Sequence, residues 1–92
     1  MPLTLESTIV IDGSVAFTEV QGELTLLDPR SSVYYGLNRV GTFVWRAIAT
    51  PLSLREVVKR VVERFEVSAE QAEKDVLALA EDLRHRGLIR VA

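Results

Sequence analysis

Few side chains in this 92-residue chain are of types that do bond chemistry. His85 is the single histidine, flanked by Arg84 and Arg86 on a polar segment, and a general acid or base needs a partner and a pocket. Cysteine is absent, which removes thiolate nucleophiles, disulfides and thiolate metal sites. No grouping of histidine and carboxylates has zinc spacing. Gly36 and Gly41 lack the Lys-Ser/Thr that completes a phosphate loop. Glu70, Glu73, Asp75, Glu81 and Asp82 share one helical segment and read as a solvated face. These residues predict no catalysis, no metal and no cofactor.

The chemistry that remains is recognition. Val33-Tyr34-Tyr35 is a short aromatic strand, and in so small a domain such a strand lies near a sheet edge. An edge presents unpaired N–H and C=O groups that can accept another chain. Asp75, Leu79, Asp82 and Arg86 recur at helical spacing, one line beside an apolar stripe, and can read a basic or polar side chain. If the helix packs against the strand, the two form a groove for an extended peptide.

The elements that must position these residues follow from local pattern. Thr8–Asp12 is β-branched, Asp12-Gly13 is a turn, and Val15–Val20 alternates as its candidate partner strand. Gln21-Gly22 turns into Glu23–Asp28, with Leu24 and Leu26 on one face and Thr25 and Leu27 on the other. Asp28-Pro29-Arg30-Ser31-Ser32 is the next turn, with Pro29 at its second position and Asp28 bonding forward to the backbone. Val33–Leu37 is then the last strand.

From Asn38 the period becomes helical, with Asn38 as N-cap. Residues 39–49 are apolar on most faces, the pattern of a buried helix, and Pro51 ends them. Ser53…Glu56 and Ser68…Gln71 are capping boxes opening two further helices, the second running to about Arg86 before Gly87. Leu88–Val91 is a short strand or packs back on the core. The expected class is α+β: a small three-stranded antiparallel sheet plus a three-helix winged helix-turn-helix bundle, one domain over residues 1–92.

That shape also suits a DNA-binding regulator. Yet the chain carries a net charge of −2 with a pI near 5.4, and its last helix is acidic where a recognition helix would be basic. Nucleic acid is therefore not the expected partner. No secretory signal and no apolar run of the roughly 18 residues needed for a bilayer span is visible, so no membrane association and a cytoplasmic location are expected.

The segment Tyr35-Gly-Leu-Asn-Arg-Val-Gly-Thr-Phe-Val-Trp45, with Leu27-Asp28 before it and Leu83…Gly87-Leu88-Ile89 after two capped helices, resembles the PqqD family. The resemblance spans about residues 23 to 90. These are small leader-peptide-binding domains of pathways that modify ribosomally made peptides, also called RiPP recognition elements. A stand-alone chain of this length is similar to the recognition subunit of lasso-peptide systems, where the leader peptidase is a separate protein. The resemblance implies that a precursor's leader adds as a strand beside Val33–Leu37, in a cleft against the Ser68–Arg86 helix. Its strand wall would be Ser32, Val33, Tyr34 and Tyr35, with Leu27 behind. Its helix wall would be Asp75, Val76, Leu79, Asp82 and Leu83. Leu37, Asn38, Gly41 and Trp45 would be structural. The implied partners are the leader and a separate leader peptidase, cyclase or other modifying enzyme. The same strand edge can also pair two copies, so the domain is expected to be a monomer or weak homodimer. The tract Arg30-Ser31-Ser32 departs from the glycine expected near its turn.

Overall fold

A computed structural model describes residues 2–28 and 30–92. Pro29, with the turn position assigned to it, lies outside the described residues. The chain order is β1 (Thr8–Ile11), β2 (Ala16–Val20), β3 (Glu23–Asp28), β4 (Val33–Gly36), α1 (Arg39–Ala47), β5 (Leu52–Ser53), α2 (Leu54–Arg64), α3 (Ala69–His85) and β6 (Ile89–Val91). The class is α+β, with the expected three helices. There are two three-stranded antiparallel sheets among the described residues, ordered β2-β3-β4 and β5-β1-β6.

The second sheet corrects one expectation. β1 does not pair with β2. The Asp12-Gly13 turn forms, with Val15 N–H donating to Asp12 C=O at 3.1 Å. But Ile11 N–H donates to Ile48 C=O and Asp12 N–H to Leu88 C=O, drawing β1 to the helices. Ile9 and Val10 are both buried while every residue of β2 is exposed. Two consecutive buried residues mark a strand covered on both faces, not half of a solvated hairpin.

The sheet that matters for function is ordered by its turns. Gln21 (φ 54°) and Gly22 (φ 83°) both take positive φ, the signature of the two-residue type I′ hairpin that joins β2 to β3. Asp28 closes the β3–β4 turn: its Oδ1 accepts from Arg30 N–H at 3.0 Å and its Oδ2 from Ser31 Oγ at 3.2 Å. Those donors hold its carboxyl below the usual carboxylate range, the Arg30 backbone bond contributing most. Ser32 sits at φ 59°, the left-handed region where glycine is favoured. Ser32→Gly relieves about 1–2 kcal/mol of left-handed strain against about 0.4–1 kcal/mol of added unfolded-state freedom, so it should raise stability by about 0.5–1 kcal/mol, read as a shifted midpoint in urea denaturation.

The helix caps form as expected on their serine and asparagine halves. Asn38, Ser53 and Ser68 side chains accept from Gly41, Glu56 and Gln71 N–H at 2.8, 3.2 and 3.1 Å. The reciprocal halves of the two boxes are spent elsewhere: Glu56 binds Arg60, and Gln71 donates to Asp75. α1 is amphipathic, not buried all round. Val44, Trp45 and, just past its end, Ile48 enter the core, while Arg39 and Arg46 point to solvent and Val40, Phe43 and Ala47 are half-buried. α3 ends in a left-handed Gly87 (φ 74°), with Leu88 N–H reaching back to Leu83 C=O at 3.0 Å. Leu24 and Leu26 of β3, Leu54, Val57 and Val61 of α2, and Val76 and Leu83 of α3 complete the core.

Candidate functional site

β4 is an edge strand, paired to β3 on one side only. Which of its backbone groups are free follows from the ladder. Leu37 N–H donates to Leu24 C=O at 2.8 Å, which sets the alternation. Tyr35 opposite Leu26 and Val33 opposite Asp28 are then hydrogen-bonded pairs, and Tyr34 opposite Leu27 is not. The N–H and C=O of Tyr34 and Gly36 therefore face outward, unclaimed by β3. At the far end of this ladder the buried Thr42 hydroxyl accepts from Leu24 N–H at 3.0 Å, filling the gap where the chain leaves the sheet for α1.

Side chains split the two tyrosines. Tyr35 points to the helices: its hydroxyl donates to Asp82 Oδ2 at 2.6 Å, tying β4 to α3. The Arg86 guanidinium lies 4.8 Å from the Tyr35 ring centroid and donates to Asp82 Oδ1 at 3.1 Å. Tyr34 points to the opposite face and is 68% exposed, beside Leu27, Thr25 and Phe17 around a shallow apolar hollow of about 230 Å³. Leu27 is its cross-strand neighbour, so it shares the outer face and does not stand behind the cleft.

Between β4 and the end of α3 lies a cleft of about 240 Å³ lined by Asp28, Ser31, Val33, Tyr35, Arg86 and Leu88. Arg30 closes its lower end by donating from Nη2 to Gly87 C=O at 2.6 Å. A side chain on Gly87 would strike that guanidinium. A wider hollow of about 530 Å³ lies at the Gly36–Asn38 end of the same edge. The free edge of β4 thus runs from one concavity to the other.

Of the helix-wall residues, Asp82 and the half-buried Leu79 face outward beside the core stripe. Asp75 is exposed and holds the Gln71 side chain at 2.8 Å. Val76 and Leu83 are each 1% exposed and seat the helix on the core, so they offer no surface to a ligand. Ser32 holds the turn through its φ, and Val33 is exposed on the cleft side. Sequence reasoning missed Asp28, Ser31 and Leu88 as cleft residues, and Arg30 as the link from the turn to Gly87. The signal for Arg30 was its place beside Asp28; nothing local joins Leu88 to a turn so far away in the chain.

Burial pushes the Tyr35 hydroxyl up to about 12, with its bond to Asp82 adding to the shift. That same bond is the main reason the Asp82 carboxyl lies below its ordinary value. A raised tyrosine pKa favours the folded state at pH below about 10, and the contribution is lost between about pH 10 and 12 as the unfolded tyrosine ionises first. Asp82 has the opposite sign: its contribution is present above about pH 4 and is lost as pH falls. Tyr35→Phe should cost about 1 kcal/mol near neutral pH and flatten the alkaline fall in stability, measured by urea titrations from neutral pH to about pH 11.

Among the described residues no set of His, Asp and Glu side chains is placed to hold a metal ion, and no helix is long and apolar enough to cross a membrane.

Comparison with known proteins adds three findings. The family model for PqqD, coenzyme PQQ synthesis protein D, matches residues 23–89. The solved structure of TbiB1 in complex with the TbiA(beta) leader peptide superposes with a TM-score of 0.79 at 22% identity, over 88% of this chain and 94% of that one. A lasso peptide synthetase B1 complexed with the leader peptide superposes at 0.78 and 23% identity, over 89% and 96%. No curated protein sequence matches.

Proposed function

The chain belongs to the PqqD family, and from that premise we propose that it is a non-catalytic module that binds the leader of a ribosomally made precursor peptide. The leader lies as an added strand along β4. The observation that carries this reading is the free edge of β4, with Tyr34 and Gly36 offering N–H and C=O groups between two concavities. Main-chain bonds along such an edge supply affinity, and side-chain pockets supply selectivity. The leader complexes of the two structural neighbours support it.

Alternate side chains of the added strand face inward, over Tyr35 and toward Leu79 and Asp82. The others face outward beside Tyr34 and Leu27. The domain makes and breaks no bond. It raises the local concentration of precursor at a separate leader peptidase or other maturation enzyme, an effective-concentration gain. One domain carries this role, as a monomer or a weak dimer. α3 with its C-cap carries Glu70, Glu73, Asp75, Glu81 and Asp82 against Lys74, Arg84 and Arg86, which disfavours a DNA duplex at that helix.

The test is fluorescence anisotropy with a labelled synthetic leader from a short open reading frame beside the gene. Binding in the micromolar range or tighter is expected, weakened about tenfold by Leu79→Ala, which removes one apolar contact worth about 1.4 kcal/mol. No binding by any such leader, with binding of duplex DNA instead, sinks the proposal.

A further inference from the structure

Three arginines from two helices meet around one small cavity, at the opposite end of β3 from the Asp28–Leu88 cleft. Arg39 and Arg46 of α1, Arg64 at the end of α2, the rings of Phe43 and Phe65 and the Gly22 turn surround about 150 Å³. None of the lining residues is acidic. The two phenylalanines form its apolar part, edge to face with centroids 5.5 Å apart at 89°. Arg64 lies over Phe65, 5.3 Å from the ring centroid. Arg39 and Arg46 stand two turns apart on one face of α1.

Internal pairing does not account for this cluster. Arg46 pairs with Glu19, but among the described residues Arg39 and Arg64 pair with no carboxylate. Helix stability accounts for only two of the three: Arg46 and Arg64 lie in the last turns of α1 and α2, where a cation complements the helix macrodipole. Arg39 opens α1, where a cation opposes the helix macrodipole, and that first turn has no acid; α2 and α3 carry Glu56 and Glu70 there. In a chain of net charge −2 the spot is a local excess of positive charge beside two aromatic rings.

Size selects the occupant. Pockets for nucleotides and cofactors hold about 300–1,000 Å³, and this one is the size of a single side chain. We propose that it docks an acidic side chain, flanked by an apolar or aromatic one, on the surface of the partner maturation enzyme. Gly22 adjoins the start of β3 and the Asp28–Leu88 cleft adjoins its end, about 20 Å away; the hollow at Gly36–Asn38 lies closer but shares no lining residue with this pocket, so both sites can be filled at once. The partner's identity as a maturation enzyme rests on the leader-delivery reading; the chemistry of the pocket does not.

The test uses amide NMR of the whole chain and the exposed double variant Arg39→Gln/Arg64→Gln. The probes are the peptide Ac-Glu-Phe-Glu-NH₂, its lysine counterpart Ac-Lys-Phe-Lys-NH₂, inorganic phosphate and a random DNA duplex, each alone. The acidic peptide is expected to shift Gly22, Phe43 and Phe65. Its binding should weaken about tenfold in the double variant, and about tenfold between about 0.05 and 0.5 M NaCl. The lysine peptide should leave those amides unmoved. No response to the acidic peptide, an equal response to phosphate alone, or a stronger response to the duplex overturns the proposal.

In a second arm, with the maturation enzyme encoded beside the gene, the double variant should need about tenfold more domain for the same rate of leader processing. An unchanged requirement also overturns it. Leader affinity of the double variant should equal that of the parent by anisotropy, and a loss there would mean the arginines belong to the leader site. If the parent binds no leader, the delivery reading fails by itself while the peptide titration still decides the pocket.

Discussion

Tyr34→Pro should weaken leader binding at least about thirtyfold, a loss of about 2 kcal/mol, while leaving the domain folded. Proline removes one N–H and sets φ near −65°. At Tyr34 that N–H faces the open edge, so no bond of the β3–β4 ladder is lost. Edge positions of this kind tolerate proline in the free protein. An incoming strand, however, loses a donor and meets the pyrrolidine ring where it must approach. The same substitution at Tyr35 removes a ladder bond to Leu26 and the Asp82 contact, and should unfold the sheet. Tyr34→Ala separates the side chain from the backbone. It keeps the N–H and should weaken binding only about three- to tenfold. Anisotropy with labelled leader reads the affinities, and circular dichroism reads the fold. Equal effects of Tyr34→Pro and Tyr34→Ala would mean that the ring carries the binding and the edge does not.

Trp45→Ala should have the largest effect on stability, about 3–5 kcal/mol. Trp45 is the single tryptophan, 2% exposed, within the cluster that joins α1 to β3 and α2. A domain of this size has only about 5–14 kcal/mol in all, so the alanine variant should lose a large share of its stability and melt well below the parent. Its indole Nε1–H has no hydrogen-bond partner in the described structure. A buried unmet donor costs about 1–3 kcal/mol, which offsets part of what the ring contributes. Trp45→Phe therefore should cost only about 1–2 kcal/mol. Urea denaturation followed by circular dichroism distinguishes the two, since both variants lack the single tryptophan whose fluorescence would report unfolding. A phenylalanine variant as unstable as the alanine one would mean that the indole nitrogen finds a partner after all.

What could be read from the chain before folding was local. Asn38, Ser53, Ser68 and Gly87 each mark a helix end through bonds within a few residues, and all four ends form there. The alternation of Leu24 and Leu26 against Thr25 and Leu27 fixes the faces of β3 because the side-chain period of a strand is two. The same period places Tyr34 and Tyr35 on opposite faces, which separates the cleft from the outer hollow.

What could not be read was long-range. β1 pairs with the two-residue β5 and with β6 at the far end of the chain, and neither signals its partner locally. The unbroken apolar run Ile9-Val10-Ile11 was the available sign that β1 is covered on both faces. The Tyr35–Asp82 bond links residues 47 positions apart. Helical spacing marked Asp82 as outward-facing, but its partner is set by how α3 docks on the sheet. Val76 and Leu83 carry the same helical spacing as Leu79, and only packing distinguishes core from surface among them.

Hydrogen exchange of the β4 amides, with and without leader, tests strand addition most directly. In the free protein Val33 and Tyr35, bonded to β3, should exchange slowly, and Tyr34 and Gly36 should exchange fast. With saturating leader, Tyr34 and Gly36 should become protected at least about tenfold while Tyr35 changes little. Leader that binds tightly yet leaves Tyr34 and Gly36 exchanging as before would contradict the account, because the peptide would then be held somewhere other than the edge.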